Sequence, residues 1–453
     1  MPISNGVKKI IKKLVPDPII SLYHFSLALL GAIFYGFPSR QRRGSPKRLA
    51  RNINVIGVTG TNGKSTVVEM ISKILKESGH KVASISSIRF EVGSKKWQND
   101  LKMTMPGRFA LQKFLKQALV ERCDYAVIEV TSEGTKQYRH KFINFSTAVF
   151  TNLTPEHIES HKGFENYKKA KGKLFESAKR VHVINLDDQN AEYFLGFLAK
   201  ERYGYAIKFQ AKKLKDRDKG QNLKLMKAKD CQLSSKRTRF FVDNTEFNLK
   251  LLGKFNIYNA LASICVGTSQ GIDLRVCKEA LEKIEEVPGR LEIVIKKPFN
   301  VIVDYAHTPD ALRNLYQTAL EFKIKKSKMI CVLGSCGGGR DKWKRPELGK
   351  IASEYCDEII LTNEDPYDEN PREIIEQIKK GVVEGEELEV FEILDREKAI
   401  EKSLRLARPS DTVIISGKGS ESWMCISEGR KIPWDDRKIV REKFKKIFFQ
   451  SIN

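Results

Sequence analysis

A short run of glycine, lysine and hydroxyl residues follows the first predicted strand. Apolar residues at 55–58 indicate a buried strand, and the run Gly60-Thr61-Asn62-Gly63-Lys64-Ser65-Thr66 comes directly after it. The two glycines allow a tight turn whose N–H groups point at phosphate oxygens, and the helix expected from about Ser65 to Glu77 adds partial positive charge at its N-terminus. A lysine here reaches terminal phosphates, and a serine here binds Mg²⁺. The run, called the P-loop below, predicts a site for the phosphates of ATP or GTP.

Two further groups of polar residues follow later predicted strands. Glu129 ends the strand predicted at 125–130, and His157 lies in the segment that follows the strand predicted at 147–151. Because the carboxyl ends of parallel strands meet at one edge of a sheet, both side chains are expected beside the P-loop. A carboxylate there is a candidate Mg²⁺ ligand, and His157 is a candidate metal ligand. Taken alone, Glu129 also fits an ordinary carboxylate at a strand end, and His157 also fits a structural histidine.

The segment at 167–175 carries four lysines in nine residues. Its pattern alone indicates a basic helix exposed to solvent.

The elements that position these residues form two α/β series. The first predicts a doubly wound parallel sheet, with strands at 55–58, 81–88, 125–130, 147–151 and 181–185 and a helix at 110–121. Residues 205–252 are charged and alternating, which indicates an antiparallel addition, and 257–268 reads as an apolar helix. A second series follows Val287-Pro288-Gly289-Arg290, with strands at 300–304, 329–334, 358–362 and 412–416 and helices at 310–322 and 371–381.

The predicted fold class is therefore α/β, with a P-loop doubly wound parallel-sheet central domain plus a smaller Rossmann-like C-terminal domain. The expected divisions are 1–50, an N-terminal basic and apolar segment; 51–286, the ATP-binding domain; and 287–453, the C-terminal domain. A chain of 453 residues with 41% hydrophobic content has room for these cores.

Composition narrows the function classes. The formal net charge of +25 would suit nucleic acid, but the lysines are scattered and no nucleic-acid module is recognisable, so no nucleic-acid partner is expected. The eight cysteines contain no Cys-x-x-Cys pair. Disulfides and zinc are therefore not expected, and the cysteine pattern indicates a protein of the reducing cytosol.

Residues 19–37 are nearly all apolar. Lysines at 8, 9, 12 and 13 precede them, and five basic residues at 40–48 follow. Three alternatives stay open: a helix on a membrane surface, a helix packed on the protein, and a spanning anchor. Because the P-loop must face ATP, the expected location is cytoplasmic, with peripheral contact at the inner face of the membrane under the first alternative.

Taken together, these segments resemble the Mur ligase family, the ATP-dependent amide ligases of peptidoglycan synthesis, over about residues 52–445. The likeness is closest to the MurE-type enzymes, which add the third amino acid of the peptide. The motifs that carry it are the P-loop, Phe150-Thr151-Asn152-Leu153 with Glu156-His157, Tyr167-x-x-Ala170-Lys171, Asn185-x-Asp187-Asp188, Gly253-x-Phe255-Asn256-x-x-Asn259, Pro288-Gly289-Arg290, Asp304-Tyr305-Ala306-His307-Thr308-Pro309-Asp310, Gly337-Gly338-Gly339-Arg340-Asp341, Gly417-Lys418-Gly419-Ser420-Glu421 and Pro433-Trp434-Asp435-Asp436-Arg437.

The resemblance implies a role for each matching residue. Lys171 would be carbamylated, which turns a cation into an anionic oxygen ligand, and with Ser65, Glu129 and His157 it would complete the Mg²⁺ shell. Lys64 would act on the phosphates of ATP. The implied ATP-binding residues outside the P-loop are Asn256, Asn259, Arg290, Asp304 and His307. Those implied for the acceptor are Thr104, Thr131, Gln137 and Arg139, and those for the amino acid are Arg340, Glu364, Asp365, Pro366, Tyr367, Gly417 and Glu421.

The implied activity is addition of an amino acid, diaminopimelate or lysine, to a UDP-MurNAc-peptide through an acyl phosphate, with ATP and Mg²⁺, by an expected monomer. The alternatives are another ligase of this fold, of folylpolyglutamate type or with a lipid-linked acceptor, and a membrane-associated ATP-binding protein that has lost catalysis. Retention of Lys64, Glu129, His157 and Lys171 argues against the last.

The chain departs from the family pattern in three places. Only about 50 residues precede the P-loop, where the family usually has a UDP-binding domain. Diaminopimelate enzymes carry Asp-Asn-Pro-Arg where this chain has Glu364-Asp365-Pro366-Tyr367, so the arginine that would hold a side-chain carboxylate is absent. Two motif histidines are replaced by Glu133 and Ser420. Recognition of the acceptor and of the amine is therefore expected to differ from the family's.

Overall fold

The larger of the two main sheets contains the P-loop strand at its centre. The computed structural model describes residues 15–39, 53–101, 103–208, 223–321, 323–324 and 326–449. The eleven strands of this sheet are β1 (Asn54–Thr59), β2 (Val82–Ile85), β3 (Arg89–Val92), β4 (Lys95–Gln98), β5 (Tyr125–Glu129), β6 (Phe145–Phe150), β7 (Val181–Asn185), β8 (Glu201–Ala206), β9 (Leu223–Leu233), β10 (Thr238–Val242) and β11 (Thr245–Leu249).

The strand order β11-β10-β9-β8-β7-β6-β1-β5-β2-β3-β4 places β1 between β5 and β6. The strands from β9 to β2 in this order are parallel, and β3, β4, β10 and β11 add antiparallel edges. The prediction that residues 205–252 form an antiparallel addition is therefore only partly correct, because β8 and β9 continue the parallel sheet. The residues of β9 alternate in character because this strand has one buried and one exposed face, and strands in parallel and antiparallel pairs share that pattern.

Helices cover both faces of this sheet. Helix α2 (Lys64–Glu77) and α8 (Lys254–Ser269) pack on one face, and α3 (Arg108–Val120) and α6 (Phe164–Ser177) pack on the other. The shorter helices α4 (Ser132–Lys136), α5 (Ile158–His161), α7 (Ala191–Leu195) and α9 (Leu274–Glu282) complete the layers. Two apolar cores result, and the P-loop helix packs against the sheet and against α8 beside it.

The second sheet has six strands in the order β12-β13-β17-β14-β15-β16. They are β12 (Glu292–Ile295), β13 (Asn300–Asp304), β14 (Met329–Leu333), β15 (Glu358–Leu361), β16 (Glu389–Glu392) and β17 (Thr412–Ser416), and all but β12 are parallel. Its helices are α10 (Pro309–Leu320), α11 (Lys344–Tyr355), α12 (Pro371–Lys379), α13 (Arg396–Leu406) and α14 (Asp436–Phe449), and a small ribbon of β18 (Trp423–Cys425) and β19 (Lys431–Pro433) lies beside it. The predicted second α/β series is therefore present.

One expectation about the cysteines is wrong. Cys331 on β14 and Cys356 after α11 form a disulfide, with their Cα atoms 6.2 Å apart. The pair is far apart in sequence but adjacent once β15 returns alongside β14. Spacing along the chain gave no sign of that proximity.

The apolar N-terminal segment forms helix α1 (Asp17–Phe34). Its small residues Ala28, Gly31 and Ala32 are buried, and Gly31 lies against Phe109 at the start of α3. In the described part of the chain it is the one helix long and apolar enough to cross a membrane by length and composition, and 17% of its residues are buried. The basic residues predicted to flank it, at 8–13 and 40–48, lie outside the described residues.

Candidate active site

The P-loop depends on two glycines that no other residue could replace without movement. Gly60 and Gly63 have φ of +149° and +82°, in the region that side chains disfavour. A Cβ at Gly60 would lie 1.9 Å from Thr151 Oγ1, and one at Gly63 would lie 2.4 Å from Asn259 Oδ1. The loop is thus packed tightly between the end of β6 and the start of α8.

A hydrogen-bonded group of oxygens lies at the N-terminus of α2. Ser65 Oγ donates to Glu129 Oε2 at 2.8 Å, and the Ser87 backbone N–H donates to the same oxygen at 3.0 Å. Lys64 Nζ lies 3.7 Å from Glu129 Oε1 and donates to the Thr61 carbonyl at 2.7 Å. Burial lowers the pKa of Lys64, and Glu129 opposes that shift. The predicted P-loop lysine, serine and strand-end carboxylate therefore meet.

Lys171 is buried, contrary to the exposed basic helix that its pattern alone indicates. Its Nζ donates to the Gly60 carbonyl at 2.6 Å and lies 4.5 Å from the centre of the Tyr167 ring. Burial and the nearby Lys64 hold the pKa of Lys171 well below its usual value. A neutral amine facing the P-loop is the form that can react with carbon dioxide.

His157 lies beyond the end of β6, where a left-handed backbone (φ +57°) turns its ring toward the cavity. Burial, with Arg340 and Lys171 nearby, holds its pKa well below the usual value, so the imidazole is neutral. Neutral imidazole is the form that binds a metal. Next to it, Glu156 Oε1 lies 3.0 Å from Lys344 Nζ in a buried ion pair that joins the two halves of the chain.

The residues predicted for ATP differ in their surroundings. Asn259 lies against Gly63 and donates to Asn256 Oδ1 at 2.9 Å, so Asn256 orients Asn259 rather than lining the cavity. Both oxygens of Asp304 accept backbone N–H groups at 2.6 Å, from residues 291 and 306. The Arg290 guanidinium stacks 4.3 Å from the Tyr305 ring centre.

His307 and Ser87 line the same cavity as Arg290 and Tyr305. His307 Nδ1 lies 2.8 Å from the Tyr305 carbonyl, and burial with the nearby Lys344 holds the pKa of His307 well below its usual value. Arg290 Nη2 donates to Ser87 Oγ at 3.0 Å, which links the second half to the oxygen group at α2. A contact of Asp304 with ribose stays a prediction.

The residues predicted for the acceptor lie together on the other side of the P-loop. Arg139 Nη2 donates to Gln137 Oε1 at 2.8 Å, and its Nη1 donates to the Met105 carbonyl. Thr131 caps α4 by accepting the Gly134 N–H at 3.1 Å. Helix α1 reaches this region, because Ser21 Oγ lies 2.8 Å from the Tyr138 hydroxyl.

A single cavity of about 830 Å³ joins these groups. Of the predicted residues, Asn256, Pro366 and Gly417 do not line it. Those that do are Gly60, Thr61, Asn62, Gly63, Lys64, Ser65, Thr66, Thr104, Glu129, Thr131, Gln137, Arg139, His157, Lys171, Asn259, Arg290, Asp304, His307, Arg340, Glu364, Asp365, Tyr367 and Glu421. Both halves of the chain therefore build one site.

The oxygen group at α2 fits a magnesium ion. Mg²⁺ takes oxygen ligands and is usually held by one or two carboxylates together with substrate phosphates and waters. Ser65 and Glu129 supply such a pair beside the P-loop. No group of three His, Cys, Asp or Glu side chains within metal-binding reach occurs in the described parts of the chain.

Comparison with known families agrees with this arrangement. Residues 58–267 match the model of the Mur ligase middle domain, and residues 289–419 match that of the Mur ligase, glutamate ligase domain. The chain belongs to the Mur ligase family. Curated UDP-N-acetylmuramoyl-L-alanyl-D-glutamate--2,6-diaminopimelate ligases of Syntrophomonas wolfei and Aquifex aeolicus are 39% and 37% identical, over 92% and 96% of this chain and 81% and 84% of theirs.

Solved structures give the same family and fold. A 2,6-diaminopimelate ligase of the same kind is 28% identical, with a TM-score of 0.56 over 87% of this chain and 78% of its own. A pseudomurein peptide ligase type C from Methanothermus fervidus is 25% identical, with a TM-score of 0.60 over 88% and 79%. The Mycobacterium tuberculosis folylpolyglutamate synthase complexed with ADP, at 17% identity and a TM-score of 0.64 over 91% and 95%, shares the fold.

Several residues of the site were not predicted from the sequence. Ser87 bridges Ser65 and Arg290, yet a serine after a short strand carries no motif. Lys344 and Lys418 are buried cations that pair with carboxylates of the cavity wall. Lys418 lies inside the motif Gly417-Lys418-Gly419-Ser420-Glu421, which was the one signal in the sequence that could have pointed to it.

Proposed function

We propose that the chain is an ATP-dependent ligase of peptidoglycan synthesis that joins an amino acid, diaminopimelate or lysine, to a UDP-MurNAc-L-alanyl-D-glutamate acceptor. The observation that carries this proposal is the single cavity in which the P-loop, the residues expected for the acceptor and those expected for the amino acid meet. The names of the curated relatives support the choice of acceptor.

The P-loop would hold the phosphates of ATP. Backbone N–H groups of the loop and Lys64 face the transferring phosphoryl group, where they stabilise developing charge. Magnesium, when bound through Ser65 and Glu129, would neutralise charge on the phosphate oxygens. His157 is neutral and buried at the same edge, which suits a ligand or a donor to the reacting groups.

The reaction would proceed in two displacements. An oxygen of the acceptor carboxylate attacks the γ-phosphorus, which forms an acyl phosphate and releases ADP. The neutral amine of the amino acid then attacks the acyl carbon, and the tetrahedral intermediate loses the amine proton and expels phosphate to leave the amide. Positioning by the two halves of the chain supplies most of the catalysis, as is general for phosphoryl transfer.

A carbamate on Lys171 is part of the proposal. The neutral amine, buried beside Gly60, would take up carbon dioxide and lose a proton. The resulting anion would carry oxygen ligands for a second Mg²⁺ and would attract the nearby Lys64 ammonium.

The domain division at 51–286 and 287–453 is proposed on the same basis. Each part has its own sheet and its own apolar cores. Side chains cross between them at the cavity, such as Asn62 Nδ2, which donates to Asp310 Oδ2 at 3.0 Å. Opening and closing at the junction near Val287 would admit substrates and exclude water.

Contact with an anionic membrane surface through α1 is a further part of the proposal, within a cytoplasmic location. The outer side of α1 exposes Leu22, Ile33 and Phe34 (65%, 56% and 74%), and basic residues flank it in the sequence. Its inner side contacts the region of Tyr138 beside the acceptor residues. A lipid-linked acceptor is the second candidate that this placement favours.

Vesicle sedimentation tests the membrane contact. The full chain is expected to sediment with vesicles of phosphatidylglycerol and not with those of phosphatidylcholine. Leu22→Glu with Ile33→Glu should abolish sedimentation, whereas Leu198→Glu, a matched change at a residue that is 70% exposed outside α1, should not. A full chain that stays in the supernatant with both vesicles contradicts the proposed contact.

Release of ADP tests the ligase activity. The purified full chain is incubated with ATP, Mg²⁺ and UDP-MurNAc-L-Ala-D-Glu, with or without diaminopimelate or lysine, and products are identified by mass spectrometry. Amide product and ADP should form together and need both substrates. ADP release that is independent of the acceptor and yields no amide would refute the proposal.

A further inference from the structure

A short turn after α4 carries two of the residues expected for the acceptor, Gln137 and Arg139, and both line the cavity. Between them Tyr138 has a left-handed backbone, with a φ of +58°. A residue with a side chain is disfavoured in this conformation and is kept there by its surroundings. The shape of the acceptor end therefore depends on the contacts that hold this turn.

Helix α1 contacts the middle of the turn. Ser21 Oγ lies 2.8 Å from the Tyr138 hydroxyl, and the Phe25 ring meets the Tyr138 ring edge-on, with the ring centres 5.9 Å apart. On α6, Lys173 Nζ lies 5.5 Å from the centre of the same ring. Tyr138 does not line the cavity, so these contacts anchor the turn while its two neighbours face the ligand.

A chain of hydrogen bonds makes a second connection between α1 and the turn. It passes through Arg108, the first residue of α3. Arg108 Nη2 donates to His24 Nδ1 on α1, and Arg108 Nε donates to the Gln137 carbonyl at 3.0 Å. Gln137 Oε1 then accepts from Arg139 Nη2 at 2.8 Å. Because a guanidinium has donors only, the role of His24 in this chain is that of an acceptor.

The two guanidiniums of this chain of hydrogen bonds favour an anionic ligand. Neither Arg108 nor Arg139 forms an ion pair with another described residue. Burial lowers the pKa of both side chains, and at Arg139 the nearby Arg108 lowers it further while Glu133 opposes the shift. Arg139 lines the cavity and Arg108 does not. Arg139 is therefore the one that can meet a carboxylate or a phosphate of the acceptor.

Resting on the proposed function, we propose that His24 and Arg108 are positioning residues for the acceptor. They fix Gln137, and through it they hold the Arg139 guanidinium toward an anionic group of the acceptor. Helix α1 is thus part of the acceptor end of the site. Loss of this chain of hydrogen bonds should weaken acceptor binding and leave the use of ATP unchanged, because the P-loop lies outside it.

The test measures the Kd of UDP-MurNAc-L-Ala-D-Glu by calorimetry with no amine present, and the KM values for acceptor and ATP together with kcat. His24→Phe keeps a ring of similar size but has no acceptor. It should raise the Kd and KM of the acceptor by about fivefold or more, within the range of one lost hydrogen bond, with kcat and the KM of ATP unchanged.

His24→Asn separates hydrogen bonding from packing. Its side-chain oxygen can accept from Arg108, so it should bind the acceptor more tightly than His24→Phe does. A packing role predicts the reverse order, because phenylalanine fills the space of the imidazole and asparagine does not. Leu30→Ala is the matched control, since Leu30 is 54% exposed on α1, and it should leave the Kd of the acceptor unchanged.

Arg108→Gln tests the next link and the identity of the anionic group. It should raise the Kd of the acceptor as His24→Phe does, and the two changes together should cost less than their sum, because they break one chain. The effect of Arg108→Gln should shrink with an acceptor whose D-Glu α-carboxylate is an amide if Arg139 holds that carboxylate. It should shrink with MurNAc-L-Ala-D-Glu, which lacks UDP, if Arg139 holds a phosphate. An equal effect on all three acceptors contradicts the inference.

The failures can be told apart. If the His24 and Arg108 variants bind the acceptor as the unaltered chain does, or if His24→Phe binds it better than His24→Asn, the inference is wrong and the ligase function stands. If the unaltered chain binds the acceptor but forms no amide, the proposed function fails, and calorimetry still decides the positioning role. If the unaltered chain does not bind the acceptor, both fail.

Discussion

The buried ion pair between Lys344 and Glu156 gives a direct test of how the two halves of the chain meet. Lys344 Nζ lies 3.0 Å from Glu156 Oε1, and the two side chains are 2% and 4% exposed. The other oxygen, Glu156 Oε2, has no hydrogen-bond partner in the part of the chain that the structure describes. Lys344→Met therefore leaves a buried carboxylate without its ion-pair partner.

The expected cost of Lys344→Met is about 3–5 kcal/mol in the free energy of unfolding, the range for removing one partner of a buried pair. The double variant Lys344→Met with Glu156→Gln should be less destabilised than Lys344→Met alone, because no uncompensated charge remains. A favourable coupling of roughly 1–3 kcal/mol between the two sites is expected from their direct contact.

Urea unfolding followed by circular dichroism measures these values, with the slope of the transition checked for constancy. Lys379→Met is the matched control, because its pair with Glu392 is exposed, and its transition should coincide with that of the unaltered chain. If Lys344→Met costs less than about 1 kcal/mol, as for an exposed pair, the two halves do not enclose this pair in solution. The arrangement of the cavity would then be wrong.

Three further predictions concern single residues. Lys171→Ala should abolish ADP release, and bicarbonate should not restore it; normal turnover would refute the carbamate. Gly63→Ala should weaken ATP binding by about tenfold or more, since its Cβ would meet Asn259 Oδ1 at 2.4 Å. Gly79→Ala is the control, because Gly79 has a φ of +87° but nothing lies within 4 Å of its Cβ position. It should lower the free energy of unfolding by about 1 kcal/mol without weakening ATP binding. Equal ATP affinity for both, measured by calorimetry, would contradict this. Burial lowers the pKa of His140 to about 3, so the unfolded chain binds its proton first and stability falls as pH drops from 6.5 toward 3. His140→Phe should remove about 3 kcal/mol of that loss at pH 4, and an unchanged pH dependence of urea unfolding would contradict it.

The fold and the phosphate end of the site could be predicted because local signals coincide with strand ends. Glu129 and His157 follow strands that flank β1, and parallel strands place such residues at one edge. Lys171 shows the limit of pattern reading. Its charged neighbours indicate an exposed helix, and the resemblance to a family, not the pattern, gave its role.

The remaining features depend on contacts between residues distant in sequence. Ser87 acquires its role by meeting Ser65 and Arg290, and the Lys344–Glu156 pair exists once the halves come together. The disulfide arises from strand pairing, and β9 joins the sheet in parallel because its partner is β8. Neither partner is marked in the local sequence.

Transfer of oxygen from the acceptor to phosphate tests the central claim most directly. The acceptor UDP-MurNAc-L-Ala-D-Glu is labelled with ¹⁸O in its glutamate carboxylates, and the phosphate released during amide formation is examined by mass spectrometry. Because the acceptor carboxylate attacks the γ-phosphorus and phosphate later leaves with that oxygen, one labelled oxygen should appear in each phosphate formed. Phosphate that carries oxygen from water alone would contradict an acyl phosphate and the account of the site built on it.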